Sequence, residues 1–570
     1  MRMNRREVLG LGVRAGVAVA AGTLWVRESG AEAPGRYAPA FPLLDRFIAD
    51  YLREMNAPGL TLALADAAGT VRVCAYGLED IGRQRPVEAG ELFHIGSISK
   101  SFVALALLQL RDEGRLDLHR PIAEYLPWLR FDPATRPISA HDLLTHGAAL
   151  PNGPLFPTDP ALRYRATQAP GTVFHYCNTG YAALGHLLAA LDGRPLPEAL
   201  RARVLTPLGM LATEPVITLD ALDRLAGSYV LGRNDRPVGR MAPLAAAPAI
   251  CMTEGSGCIA SNARDMSAYL AMLANRGRTG SGRLVSEAAW ELFSKPHIAA
   301  DEFGTGAAYG YGIVVDSLDE HVRLRHTGGM VSFASALEVD LDAGVGAFVS
   351  VNAMQGFRPR PVAEYALKLL RACREEARLP DPPALEAALA VPNAADYAGR
   401  FTGAGGRALE FAAEGDRLWL LHGGERVALE PAVGVAESFV VAHRDFAQYA
   451  LLFSRRAEHP EQPGPVLECG WGPDWYAKPE YTGPREFAVP AEWHRYPGHY
   501  RSEDPWIGSM HVVLRRGRLW LDGLVPLEPA PGGIFYLRDE PQSPEWLAFS
   551  EFVGGRAMRL KMSGNDLARV

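Results

Sequence analysis

Lysine is nearly missing from this chain. Of its 58 basic residues only five are lysine, Lys100, Lys295, Lys368, Lys478 and Lys561. Arginine carries almost all the positive charge, so each lysine stands out. An excess of positive charge is missing too. The net charge is −7 and the pI about 6.1, which argues against a protein built to hold nucleic acid or an anionic membrane. Cysteine is scarce. Six in 570 residues do not make a disulfide scaffold. Cys251 and Cys258 lie close enough to pair across a turn; free, partly buried thiols are the plainer expectation. There is no CxxC or HExxH, and the 15 histidines show no metal-ligand spacing. Neither a structural nor a catalytic zinc is expected. Beyond the first residues, no run is long and apolar enough to span a bilayer.

What is present begins with a leader-like segment. Arg5-Arg6 precede a short apolar run, Ala15 to Val26, and small residues such as Ser29 and Ala31 follow. A basic head, a short apolar stretch and a small-residue cleavage site make an export signal over residues 1–33. The paired arginines point to the twin-arginine route. The protein is therefore expected in the periplasm or outside the cell.

The remaining length is too great for one core. Strand-like and helix-like segments from about Phe41 predict one α+β domain over 38–378, with strands at both ends and helices between. Residues 379–395 are rich in Pro and Ala and read as a linker. The rest is short strands and turns, and it repeats. Tyr397-Ala398-Gly399-Arg400-Phe401 matches Tyr496-Pro497-Gly498-His499-Tyr500; "DRLWLLHG" matches "GRLWLDG"; "LEP" occurs at Leu429 and again at Leu527. Two small antiparallel β-barrels are expected, over 396–490 and 491–570.

The stretch "HIGSISKSF" places Ser97 three residues before Lys100 at a predicted helix start. Positions i and i+3 share a helix face. A buried lysine can lose its proton and serve as a base for a serine; an arginine cannot. The helix N-terminus offers a free N–H to a developing oxyanion. A bare SxxK can equally be a serine N-cap beside an incidental lysine. Two further motifs follow: Tyr176-Cys177-Asn178 before a helix, and His326-Thr327-Gly328 at a strand end.

In that order, SxxK, YxN and HTG resemble the penicillin-recognising serine hydrolases. These include class C β-lactamases, D-Ala-D-Ala carboxypeptidases, D-aminopeptidases and related esterases. "LLTH" (143–146), "GCIASNARDMSAYL" (257–270) and "YGYGIVVD" (309–316) also fall where such proteins carry similar strings. The resemblance implies a β-lactamase/transpeptidase-like fold over about 40–375. It makes Ser97 the nucleophile, with Lys100 and Tyr176 sharing acid–base work and the tyrosine lowered toward tyrosinate by nearby cations. Asn178 would bind Lys100 and the substrate amide. The N–H groups of Ser97 and Gly329 would form the oxyanion hole, and His326, Thr327 and Gly328 would line the substrate. His146 and Asp265 are assigned structural roles, and Cys177 packing.

His326 stands where β-lactamases commonly carry lysine. A mostly neutral imidazole weakens carboxylate recognition and favours peptidase- or esterase-like chemistry. The two barrels and the "YCN" string resemble the three-domain layout of D-aminopeptidases. The expected activity is hydrolysis of D-amino-acid peptides or amides through an acyl-enzyme. An esterase, a β-lactamase, or a non-catalytic penicillin-binding or sensor protein are the alternatives. The substrate is a small molecule or peptide. No cofactor, nucleic-acid partner or stable membrane span is expected, and the oligomeric state is open. The aromatic, proline-rich stretch Trp471 to Pro484 could reach from the barrels into the site; the alternative is that the barrels only pack or oligomerise.

Overall fold

The computed structural model describes residues 26–28 and 35–570, less 130, 133–134, 157–163, 233–234, 354–358, 433–434, 460–461 and 538–542. Arg5, Arg6, Ser29 and Ala31 of the leader lie outside the described residues. Of that leader only Val26–Glu28 is described. It forms a short strand on the sheet edge, Arg27 opposite Ala75.

The first part of the chain is built on a ten-stranded antiparallel sheet. Within it Gly59–Asp66 is flanked by Gly69–Asp80 on one side and Val345–Val351 on the other. Phe333–Asp340, His321–Met330 and Val314–Leu318 follow in order. Both faces are covered, so the central strands are buried along their whole length. Successive side chains go to opposite faces. Leu60, Leu62 and Leu64 enter one apolar layer, with the helices Phe41–Glu54 and Arg360–Arg374. Ala63 and Ala65 enter the other, with Ser99–Asp112 and Ala263–Ala274. Phe41–Glu54 buries Leu44, Phe47, Ile48, Tyr51 and Leu52, the spacing of one helical stripe. Ser99–Asp112 is apolar nearly all round, and buries Val103 to Leu108 and Leu110. Such a helix belongs inside a core.

Beyond this part come two closed antiparallel barrels of eight strands each, from Gly399 to Ala477 and from Gly498 to Arg569. The sequence repeats fall on matching strands. The Gly399 and Gly498 copies open the first strand of each barrel. The two "RLWL" copies form the third, and the two "LEP" copies the fourth. The architecture is thus α+β, a β-lactamase-like domain followed by two β-barrels, as its residues lead one to expect.

All six cysteines are free; Cys251 is exposed while Cys258 is buried, so the pair is not bridged. No helix among the described residues is long and apolar enough to cross a membrane. The stretch Trp471 to Pro484 packs against the barrels, as the second of the two readings has it. Its described contacts are with the barrels: the Trp475 indole donates to Glu468, its ring packs on Tyr481 and Phe487, and Arg516 lies over it. Trp475, Glu468 and Arg516 thus join the two barrels through this segment.

Candidate active site

Ser97 lies in a 3-10 turn, Gly96–Ile98, that runs into the helix Ser99–Asp112. The helix start has no side-chain cap, so Ser97 is not spent as one. One turn on, Lys100 is fully buried. Its Nζ lies 2.9 Å from Ser97 Oγ, 2.8 Å from Asn178 Oδ1 and 2.7 Å from the Ser256 carbonyl. No carboxylate is among these partners. Burial lowers the ammonium to about 7. A neutral amine has two N–H bonds and one lone pair. Asn178 Oδ1 and the Ser256 carbonyl can only accept, so they take the two hydrogens. The lone pair then faces Ser97, whose hydroxyl can donate to it.

The Tyr176–Asn178 segment is fastened group by group to the loop before it. Asn152 Nδ2 donates to the Tyr176 carbonyl at 2.8 Å. Cys177 N–H donates to His146 Nδ1 at 3.0 Å, and Asn178 N–H to Asn152 Oδ1 at 2.6 Å. Held this way, the half-buried Tyr176 ring has Lys100 Nζ 4.8 Å from its centre and the His146 ring at 4.3 Å on another side. Because His146 Nδ1 accepts, its proton sits on Nε2, which is buried without a hydrogen-bond partner. Burial first, then Lys100, His326 and His175, hold this imidazole neutral. His146 has a left-handed backbone, φ +58°, uncommon for a residue other than glycine. It was expected as structural, and it abuts the site. Asp265 lies elsewhere and binds Ala212 N–H, Thr213 N–H and the Thr213 hydroxyl. Cys177 is buried and its thiol is pushed up to about 12 by burial, so it stays protonated.

The third motif enters from the sheet. Val314–Leu318 pairs with His321–Met330 only as far as Arg325, so its continuation from His326 is left unpaired on that side. The Ser97 turn fills the gap. A Cβ on Gly328 would fall 1.9 Å from the Ile95 carbonyl, and one on Gly96 2.8 Å from Gly329 N. Backbone lies directly on backbone, which brings Gly329 beside the serine turn. Gly328→Ala is expected to cost about 1–3 kcal/mol of stability and to spread the two segments. Thermal unfolding checks this against Gly280→Ala, where a Cβ meets nothing within 4 Å.

His326 is buried and used on both sides. Nδ1 donates to the Thr327 carbonyl at 2.7 Å, so Nε2 accepts from the Tyr309 hydroxyl at 2.9 Å. Burial, then the Lys100 charge, lower it to about 3. It brings no positive charge to the site. Phe174, Phe303 and Tyr309 pack around the Tyr176 and His326 rings and give the site an aromatic wall.

Three motifs far apart in the chain thus meet around one serine–lysine pair. The family profile described as "Beta-lactamase" matches residues 44–372, more than half of the chain. The chain belongs to the beta-lactamase family. It is a serine hydrolase of the β-lactamase, penicillin-binding-protein and esterase type. Among similar proteins, "Penicillin-binding protein 4" of Amycolatopsis lactamdurans is 28% identical over 324 residues, 53% of this chain and 83% of that protein. "Esterase EstB" of Burkholderia gladioli is 30% identical over 194 residues, 29% of this chain and 49% of that one. The structure of an octameric penicillin-binding protein homologue from Pyrococcus abyssi superposes with a TM-score of 0.54 at 22% identity. It covers 77% of this chain and all of that one, and the likeness is one of fold.

The motif search missed Asn152, Ser256, His175 and Glu545. Ser256 contributes only a carbonyl, which any residue type would supply. Glu545 belongs to the second barrel, 393 positions from the Asn152 it binds. Neither leaves a local pattern.

Proposed function

We propose that this beta-lactamase-family protein hydrolyses amides and small peptides of D-amino acids through an acyl-enzyme on Ser97. The observation that carries this is the fully buried Lys100 Nζ, 2.9 Å from the Ser97 hydroxyl and with no carboxylate among its partners. Ser97 Oγ attacks the carbonyl as its proton passes to Lys100 Nζ. The N–H groups of Ser97 and Gly329 receive the oxyanion. The proton moves on through Tyr176 to the leaving amine, the C–N bond breaks, and water later cleaves the ester by the reverse proton path. Asn178, its Oδ1 held by Lys100, keeps its Nδ2 for the substrate carbonyl. Export in a mature form rests on the paired arginines and small residues of the leader.

The neutral His326 argues against strong recognition of a free carboxylate, which carboxypeptidase and β-lactam substrates carry. The aromatic wall of Phe174, Phe303 and Tyr309 favours a second reading, small esters with an apolar acyl group. Three substrates separate the readings: a D-alanine p-nitroanilide, an acyl-D-Ala-D-Ala peptide and p-nitrophenyl butyrate. The expected order puts the anilide and the ester ahead, with the free carboxylate adding less than about tenfold to kcat/KM, under about 1.4 kcal/mol. A preference of several hundredfold for the carboxylate peptide would overturn it.

A further inference from the structure

We propose that Glu545 of the second barrel is a positioning residue for the hydrolase site, clamping the Tyr176–Asn178 loop through Asn152 and His175. The inference rests on the reading of Tyr176 and Asn178 given above. It gives the C-terminal barrel a part in the hydrolase site.

Glu545 precedes the strand Trp546–Val553 and is buried against the other domain. Its Oε1 accepts three hydrogen bonds: from Asn152 N–H at 2.7 Å, Asn152 Nδ2 at 3.1 Å and His175 Nε2 at 3.1 Å. Its Oε2 accepts from the Ser563 hydroxyl of its own barrel. Asn152 is the residue that grips Tyr176 and Asn178, and His175 directly precedes them. One carboxylate therefore fixes both the clip and the start of the loop it holds. The backbones are also in direct contact, since a Cβ on Gly153 would fall 2.0 Å from the Ser563 carbonyl. Burial pushes the Glu545 carboxyl up, but the bonds from His175, Ser563 and Asn152 outweigh it and keep it below the ordinary glutamate range. The charge is thus kept where it accepts most. Without it, Asn152 would lose the acceptor for its backbone N–H. Its side chain could then turn away from Tyr176 and Asn178, and Asn178 sets the third side of Lys100.

The test uses the full chain with Glu545→Ala, Glu545→Gln and, as a surface control on the same barrel, Glu551→Ala. Hydrolysis of p-nitrophenyl butyrate and amide exchange over residues 175–179 are measured together. Glu545→Ala should lower kcat by about 10–100-fold, the scale of a small misplacement of reacting groups, with KM within about threefold. Exchange of the Cys177 and Asn178 amides should quicken about tenfold or more. Glu545→Gln keeps an acceptor oxygen and should recover most of both; Glu551→Ala should match the wild type. A Glu545→Ala variant that melts earlier yet keeps the wild-type kcat and exchange overturns the proposal. If the wild type does not hydrolyse the ester, the catalytic reading fails, and exchange alone then decides the clamp. Quickened exchange keeps it as a loop anchor, and unchanged exchange removes it.

Discussion

Ser97→Ala should abolish ester and amide hydrolysis, by a factor on the order of 10⁴ or more, and should leave the fold intact. The size follows from the chemistry: without the oxygen no acyl-enzyme forms, and nucleophile deletions in serine hydrolases reach about 10⁶ in kcat. Cys177 is no substitute. It is buried, its Sγ lies 3.6 Å from the Pro151 carbonyl, and its thiol is held protonated. The fold should tolerate the change because the Ser97 hydroxyl is not a cap and has Lys100 as its one described side-chain partner. Removing it frees only one direction of the Lys100 amine, whose other two contacts remain. Intact-protein mass spectrometry with a fluorescent penicillin or an active-site ester checks this. The wild type should gain one adduct and the variant none. An adduct of equal yield on the variant would place the nucleophile elsewhere.

The serine–lysine pair was legible because its two members are three residues apart on one helix, where geometry follows from spacing alone. The barrels were legible because each strand set is written twice. The sheet domain was legible from strand-like segments at both of its ends with helix-like segments between them. Other parts have no local code. His146 sat in a short string suited to a helix end, and only the fold shows its Nδ1 under Cys177 N–H. Glu545 belongs to no motif in the chain. Its burial is decided by the docking of one domain on another. The same blindness explains the stretch Trp471 to Pro484. Exposed-looking aromatics announce a contact but not its partner, and here Trp475 found Arg516. His326 was read correctly as a residue without charge. That its two nitrogens would both be occupied, by Thr327 and Tyr309, follows only from the tertiary structure.

Lys100 should set the pH dependence of acylation, and Lys100→Arg should erase it. Below about 7 the buried amine is protonated and has no lone pair for Ser97, so the acylation rate should fall about tenfold per pH unit. Above 7 it should level off. Arginine stays charged throughout, and its fork cannot meet Ser97, Asn178 and Ser256 at one nitrogen, so a loss of about 10³-fold or more is expected at every pH. The same group governs stability, with a sign that can be worked out. The unfolded lysine holds its proton up to its ordinary value of 10.5 and the folded one only up to about 7. Between these values folding expels a proton. Stability therefore declines as pH falls from 10.5 to 7, and the penalty is complete below 7. Its full size is on the order of 5 kcal/mol, each tenfold change in proton affinity being worth about 1.36 kcal/mol. Lys100→Met lacks this term, though it leaves the Ser256 carbonyl and Asn178 Oδ1 without their donor, at about 1–3 kcal/mol each. Near neutral pH the gain and the loss oppose each other, so the informative quantity is the difference between the two proteins across pH. Denaturant unfolding at pH 7 and at pH 9.5 should show the wild type gaining on Lys100→Met by a few kcal/mol. Parallel curves would mean that Lys100 is charged in the folded protein. The proton from Ser97 would then have to go first to Tyr176, whose ring lies 4.8 Å from the same nitrogen.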